Sequence, residues 1–310
     1  MSFAELLARG PIVLDGGLAT ELERLGHDLG DALWSARLLR DRPGDIEAVH
    51  RAYFQAGADV AITASYQATY EGFAAAGLGR DETSRLLALS VELARRARAA
   101  VRPEGLVAAS VGPYAVVRAD GSEYTGDYGA TSVDEIAAVQ RPRIAALLAA
   151  GPDLLAFETI PALREVDVLA GLLAELPAAE AWMTFSCRDG ERLSDGTPIE
   201  HAVRLAAASA AIVAVGVNCT APEHIDSLLE RARGCTDLPL LVYPNHGRTW
   251  DARGSEWRGP GVDGFPRSVV TGWSERGAQA IGGCCGIGPD AIAGVARALR
   301  ERDGERQLRH

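Results

Sequence analysis

No lysine occurs anywhere in the 310 residues, so all 31 basic side chains are arginines. That absence excludes every mechanism built on a lysine Schiff base, including pyridoxal-phosphate chemistry and the lysine-dependent aldolases. No apolar run approaches the ~20 residues that a bilayer-spanning helix needs. The opening stretch, MSFAELLARGPIVLDGG, has no basic segment leading into an apolar one, so no secretory signal is expected. A net charge of −11 with no basic block argues against a nucleic acid or an anionic membrane as partner. The expectation is a cytoplasmic chain acting on small molecules. Cysteine is scarce and odd in number, five in all, which is no disulfide framework. In a reducing compartment, clustered cysteines point to metal binding or catalysis instead. None of the six histidines falls at an H-x-x-x-H spacing, so a histidine metal site is not expected.

What is present is a regular alternation. Short runs rich in apolar and β-branched residues span 11–17, 58–66, 106–113, 152–160, 179–187, 211–219, 238–245 and 278–285. Amphipathic Ala/Leu/Arg-rich stretches separate them, among them 81–101, 133–151, 223–234 and 289–303, the last opening on Pro289. The strand runs are nearly continuous in apolar residues, as strands covered on both faces must be. Eight such units with no linker or composition break predict an α/β fold, a (β/α)8 TIM barrel forming a single domain over 1–310. An open doubly wound sheet is the rival, but no G-x-G-x-x-G follows the first strand. Residues 302–310 are expected to form a frayed tail. Two long loops, 114–132 and 246–265, follow the third and seventh strands, at the face where barrels carry their sites.

The strand ends gather chemistry at that face. Asp15, Gly16 and Gly17 follow the first strand, Thr63 and Ser65 the second, Glu158 the fourth, Asn218 and Cys219 the sixth, Tyr243 and Asn245 the seventh. Cys284 and Cys285 stand side by side in AIGGCCGIGP at the end of the eighth. A lone buried cysteine is usually a small hydrophobe. Three at neighbouring strand ends are a ligand set, since Zn2+ favours sulfur and a catalytic zinc keeps three protein ligands with one position open. The flanking glycines allow the bend that aims adjacent thiols at one point. Cys187, ending the fifth strand, is a substitute ligand, and Cys235, after a helix, is structural.

With LDGGLATEL, ITASYQATYEGF, GPYAVVRADGSEYTGDY, FETIP, GVNCT, VYPNHG and GGCCG in place, the chain resembles the homocysteine S-methyltransferase family. The match is closest to its stand-alone branch, which uses S-methylmethionine or S-adenosylmethionine. The resemblance runs from Asp15 to the last helix. It implies one zinc held by Cys219, Cys284 and Cys285, and methyl transfer to homocysteine to give methionine. His246 and Arg248 depart from the family pattern, which carries a small residue and an acid there, and this bears on donor preference. Little sequence follows the eighth unit, so a free sulfonium donor is expected rather than methylcobalamin.

Substrate groups need partners too. Glu158 is the first candidate for the α-ammonium group of homocysteine and Asp15 the second, although Asp15 also reads as a helix N-cap. Backbone N–H groups at Gly16 and Gly17 are candidates for the carboxylate. Asn218 reads equally as a substrate contact or a supporting hydrogen-bond partner, and Thr63 as pocket lining. Tyr124, Tyr128, Trp250 and Trp257 either contact a sulfonium or pack their loops. Two rivals stay open: a thiol methyltransferase using betaine or another donor, and a non-catalytic zinc or thiol redox sensor.

Overall fold

A computed structural model describes the backbone of residues 1–30, 35–176, 179–251 and 256–307. Its barrel strands are β1 (Ile12–Val13), β2 (Val60–Ile62), β3 (Leu106–Val111), β4 (Leu154–Ile160), β5 (Ala181–Phe185), β6 (Ile212–Asn218) and β7 (Leu240–Tyr243). A hairpin, β8 (Thr249–Asp251) and β9 (Glu256–Arg258), interrupts the count, so the last barrel strand is β10 (Ala278–Ile281). The eight barrel strands pair in parallel in the order β1-β10-β7-β6-β5-β4-β3-β2. A parallel bridge between Leu14 and Val60 joins the two ends and closes the ring. The expected (β/α)8 barrel is what forms, each of the eight predicted runs containing one strand.

The reason lies in the alternation of the strands between two apolar environments. Ile12, Leu14, Leu106, Ala108, Leu154, Ala156, Trp182, Ala214, Leu241 and Ala280 share one buried cluster inside the barrel. Val13, Val107, Leu155, Met183, Val215, Val242 and Ile281, their neighbours in sequence, belong to the larger cluster beneath the helices. Alanines at 108, 156, 214 and 280 leave room for the Trp182 indole, which is fully buried. The helix Phe3–Leu7 closes this interior, with Phe3 packed 5.8 Å from Trp182 between ring centroids. Burying Phe3 and Leu6 there contributes roughly 2 kcal/mol each. Ser2 and Glu5 cap that helix reciprocally, at 2.7 and 3.2 Å, which fixes where the plug begins.

The outer helices Arg80–Val101 and Val133–Ala149 coincide with the expected helical stretches 81–101 and 133–151. The expected frayed tail is not one over most of its length. The helix Pro289–Gln307 continues through it, and Arg302 is buried against Ser274 Oγ. An arginine that can bury its stem and reach a hydroxyl extends the helix past its apolar repeat. Residues 308–310 lie outside the described residues. Among the described residues no helix is long and apolar enough to cross a membrane.

Candidate active site

Three sulfurs meet over the C-terminal mouth of the barrel. Cys219 follows β6, and Cys284 with Cys285 follows β10 after two glycines. The Cys219 and Cys285 sulfurs are 3.7 Å apart and those of Cys284 and Cys285 4.0 Å. All three lie within 4.8 Å of one another. Backbone hydrogen bonds set each one. Cys219 N–H donates to Tyr243 O at 3.1 Å and Cys284 N–H to Pro244 O at 2.8 Å, while Cys285 O accepts from His246 N–H at 2.9 Å. Gly286 then turns the chain through a left-handed conformation, φ 83°, where a Cβ would run into the His246 ring. Adjacent cysteines point at one place because glycine alone fits the bend after them. The Cys219 and Cys284 thiols donate to Cys285 and hold its thiol well below the usual cysteine range, while the same sharing pushes Cys284 up. One thiolate flanked by two thiols is a donor set suited to a soft cation.

The sulfurs form one wall of a cavity of about 130 Å3. Asp15, Glu158, Thr63 and Tyr243 line it from the strand ends, and Tyr66, Gln67, Glu123 and Tyr124 from the loops after β2 and β3. Among the described residues no arginine or histidine lines it. Glu158 accepts from the hydroxyls of Ser110 and Tyr243, yet burial lifts its carboxyl to about 7. Asp15 is raised further, first by burial and then by the neighbouring Glu158 charge, against the one bond it accepts from Ile62 N–H at 2.8 Å. Asp15 Oδ1, Gln67 Oε1 and Glu123 Oε2 are buried acceptors with no protein partner. A wall of orphaned acceptors without a cation of its own is built to receive a ligand that brings N–H groups and positive charge.

Two non-glycine residues at this face adopt left-handed backbone, Thr159 at φ 62° and Cys219 at φ 48°. Each sits directly after a strand-end polar residue; Asn245 Nδ2 donates to Cys219 O at 3.2 Å, and the Asn218 side chain locks Thr159. Asn218 Oδ1 accepts from Thr159 N–H at 2.7 Å and its Nδ2 donates to Thr159 Oγ1 at 2.8 Å. Conformations that cost about 1–3 kcal/mol each persist only where such contacts over-determine them.

A sequence profile of the homocysteine S-methyltransferase family matches residues 12–299. The chain belongs to the homocysteine S-methyltransferase family. It is 47% identical to homocysteine S-methyltransferase YbgG of Bacillus subtilis over 93% of this chain and 94% of that protein. It is 48% identical to the homocysteine S-methyltransferase of Escherichia coli over 92% of this chain and 94% of that one. The crystal structure of the homocysteine methyltransferase MmuM from Escherichia coli in its metallated form superposes with a TM-score of 0.85 at 46% identity, covering 97% and 99% of the two chains. The chain is thus an enzyme that methylates the sulfur of homocysteine, a small-molecule reaction whose product is methionine.

Within this family member several sequence-based expectations change. Asn218 does not line the cavity; its amide is spent on Thr159, so its place is that of a clamp. Gly17 N–H is likewise spent, on Ile287 O at 2.9 Å. Onward from Gly17, Leu18, Ala19 and Thr20 line the cavity in the first turn of the helix Leu18–Arg24. Gly17 is the N-cap there, not Asp15, and a Cβ on it would stand 2.7 Å from Cys284 O. Gly16 lines the cavity as expected, and so do Asp15, Thr63 and Glu158. Cys187 stands outside the sulfur cluster, its N–H bonded to Thr220 Oγ1 at 2.9 Å and its thiol pushed up by burial. Cys235 donates to Arg231 O at 3.3 Å. Tyr124 lines the cavity, whereas Tyr128 packs its loop down with its hydroxyl on Glu165 at 2.5 Å. The side chains of Trp250 and Trp257 lie outside the described residues. His246 and Arg248 are absent from the cavity lining.

Ser110, Gln67 and Glu123 escaped the sequence reading. Ser110 sits inside a strand, where a hydroxyl carries no signal. Gln67 and Glu123 lie several residues beyond their strands, and only folding of the loops brings them back.

Proposed function

We propose that the enzyme moves a methyl group from a sulfonium amino acid, S-methylmethionine first and S-adenosylmethionine second, to homocysteine, with one zinc ion held by Cys219, Cys284 and Cys285. The convergence of the three sulfurs on a cavity of unpartnered acceptors carries this reading. Zinc–sulfur bonds of about 2.3 Å in a tetrahedral site put sulfurs about 3.8 Å apart. The spacings of 3.7 and 4.0 Å fit that requirement, and the metallated form of MmuM from Escherichia coli supports it. Zinc bound here, with a fourth position open, supplies the acidity that keeps a substrate thiol ionised at neutral pH. A trio of free cysteines suits a reducing compartment, and we place the enzyme in the cytoplasm on that chemistry.

The chain's own residues then do the binding and orienting. Asp15 Oδ1 and Glu158 accept the α-ammonium group of homocysteine. That group stabilises both carboxylates in their charged form and so reverses the cost of burying them. The N–H groups of the first turn after Gly17 take the α-carboxylate at the positive end of the helix. The electron pair of the homocysteine thiolate forms the new S–CH3 bond as the methyl leaves the donor sulfonium. The bonding pair stays with the donor sulfur, which becomes a neutral thioether, and S-methylmethionine thus yields two methionines. Charge is cancelled in this step, and among the described residues no arginine lines the cavity to repel the sulfonium as it binds.

The test is to measure metal content and to quantify methionine made from homocysteine with S-methylmethionine, S-adenosylmethionine or betaine. Zinc near one equivalent with turnover on the sulfonium donors is expected. Turnover on betaine alone, or retained zinc with no methionine from any donor, overturns the reading.

A further inference from the structure

Not all the acceptors in the cavity are needed for homocysteine. Asp15 Oδ1 and Glu158 form one group, at the ends of β1 and β4. Gln67 Oε1 and Glu123 Oε2 form a second, in the loops after β2 and β3, and both atoms are buried with no partner. An ammonium group engaged by the first pair leaves the second pair unsatisfied.

Glu123 is also held in place with care. Its carbonyl accepts from Ser186 Oγ at 3.0 Å, which ties the loop after β3 to the end of β5. Beside it, Gly126 turns at φ 67° against Asp195, where a Cβ would stand 2.6 Å from the Asp195 backbone nitrogen. A loop docked this closely, holding a carboxylate oxygen away from both water and protein donors, incurs a cost that only a ligand offsets. The ligand must carry N–H donors and a positive charge, because both acceptors are oxygens and one is anionic.

We infer that Glu123, together with Gln67, receives the α-ammonium group of the methyl donor, so that these two residues select amino-acid sulfonium donors. The inference rests on the sulfonium reading above and deepens it. Betaine fits badly for a chemical reason. Its quaternary nitrogen has no N–H to satisfy either oxygen. The first group thus addresses the acceptor amino acid and the second addresses the donor.

The experiment compares S-methylmethionine with its deamino analogue, dimethylsulfoniobutyrate, on the zinc-loaded wild type, Glu123→Gln and Gln67→Met. The wild type should favour S-methylmethionine in kcat/KM, and calorimetry on the resting enzyme should show the same preference in binding. Glu123→Gln should lower kcat/KM for S-methylmethionine roughly 10- to 100-fold, the effect of a lost charged hydrogen bond. It should leave the deamino donor and the KM for homocysteine within about twofold, changes too small to reflect a lost hydrogen bond. Gln67→Met should act in the same direction with a smaller loss. Equal losses on both donors, a loss confined to homocysteine, or no change in donor selectivity overturns the inference. A wild type that makes no methionine from S-methylmethionine or S-adenosylmethionine defeats the sulfonium reading itself, which separates the two failures. Zinc content and thermal melting of each variant establish that it is folded. A Glu123→Gln protein that fails these controls leaves Gln67→Met to decide.

Discussion

The two ends of the barrel obey opposite rules. At the closed end, Phe3, Leu6 and Trp182 pack among strand residues that are all apolar, with the plug helix capped at its start. At the open end, two non-glycine residues sit in left-handed backbone, three buried acceptors lack partners, and a carboxyl is lifted to about 7. The first end is consistent at every level and stabilises the fold. The second is held in a less stable arrangement by the first, and its unsatisfied groups are the places where ligands bind.

The sharpest way to break the contrast is at the sulfurs. Cys284→Ala should abolish metal binding and methionine formation while the melting temperature of the metal-free protein hardly moves. A metal-free, fully active variant would refute the role of the cluster. The mirror experiment is Phe3→Ala at the closed end. It should cost about 3 kcal/mol in chemical denaturation through the lost packing on Trp182, with both KM values unchanged. Asn218→Ala lies between the two. Freeing Thr159 from the clamp beside Cys219 should destabilise the protein by about 1–3 kcal/mol, since a buried N–H is left unpaired. It should also weaken metal affinity roughly 10- to 100-fold, as loss of a ligand's support does elsewhere. Metal titration against denaturation separates these two readouts.

The smallest effect is a pH dependence at Glu158. Its carboxyl binds its proton more tightly when folded, about 7 against 4.5 for an unperturbed glutamate, so folding stability falls as pH rises between those values. Glu158→Gln should therefore gain on the metal-free wild type from pH 5 to pH 8, by no more than about 3 kcal/mol. The KM for homocysteine should move the other way. It should rise in the wild type below about pH 7, where protonation removes the charge that meets the ammonium group, and be high and flat in the variant. Parallel melting curves at both pH values would show that burial of this carboxyl has no cost.

How much of this was legible beforehand differs between the two ends as well. The strand runs, the long helices and the cysteines at strand ends stand out because period, apolar continuity and residue type are local properties of the chain. Asp15, Thr63 and Glu158 were legible for a related reason: a barrel converts position at a strand end into position at the mouth. Asn218 was found with two roles open, and nothing local reveals that its amide is already taken by Thr159. Gly17 lines the cavity as expected, but its N–H is claimed by Ile287, which lies 270 residues along the chain.

The amino-acid sequence by itself determined the barrel and the three cysteines at strand ends, which follow from hydrophobic period and from residue types at repeating positions, while its motifs carried the family resemblance and with it the class of chemistry. Only the tertiary structure decided which polar groups remain free. Hydrogen bonds across loops satisfy Asn218 and Gly17 and leave Asp15, Gln67 and Glu123 without partners. Whether a donor or acceptor is available to a ligand depends on what folding has already placed beside it, and that is a property of the whole molecule.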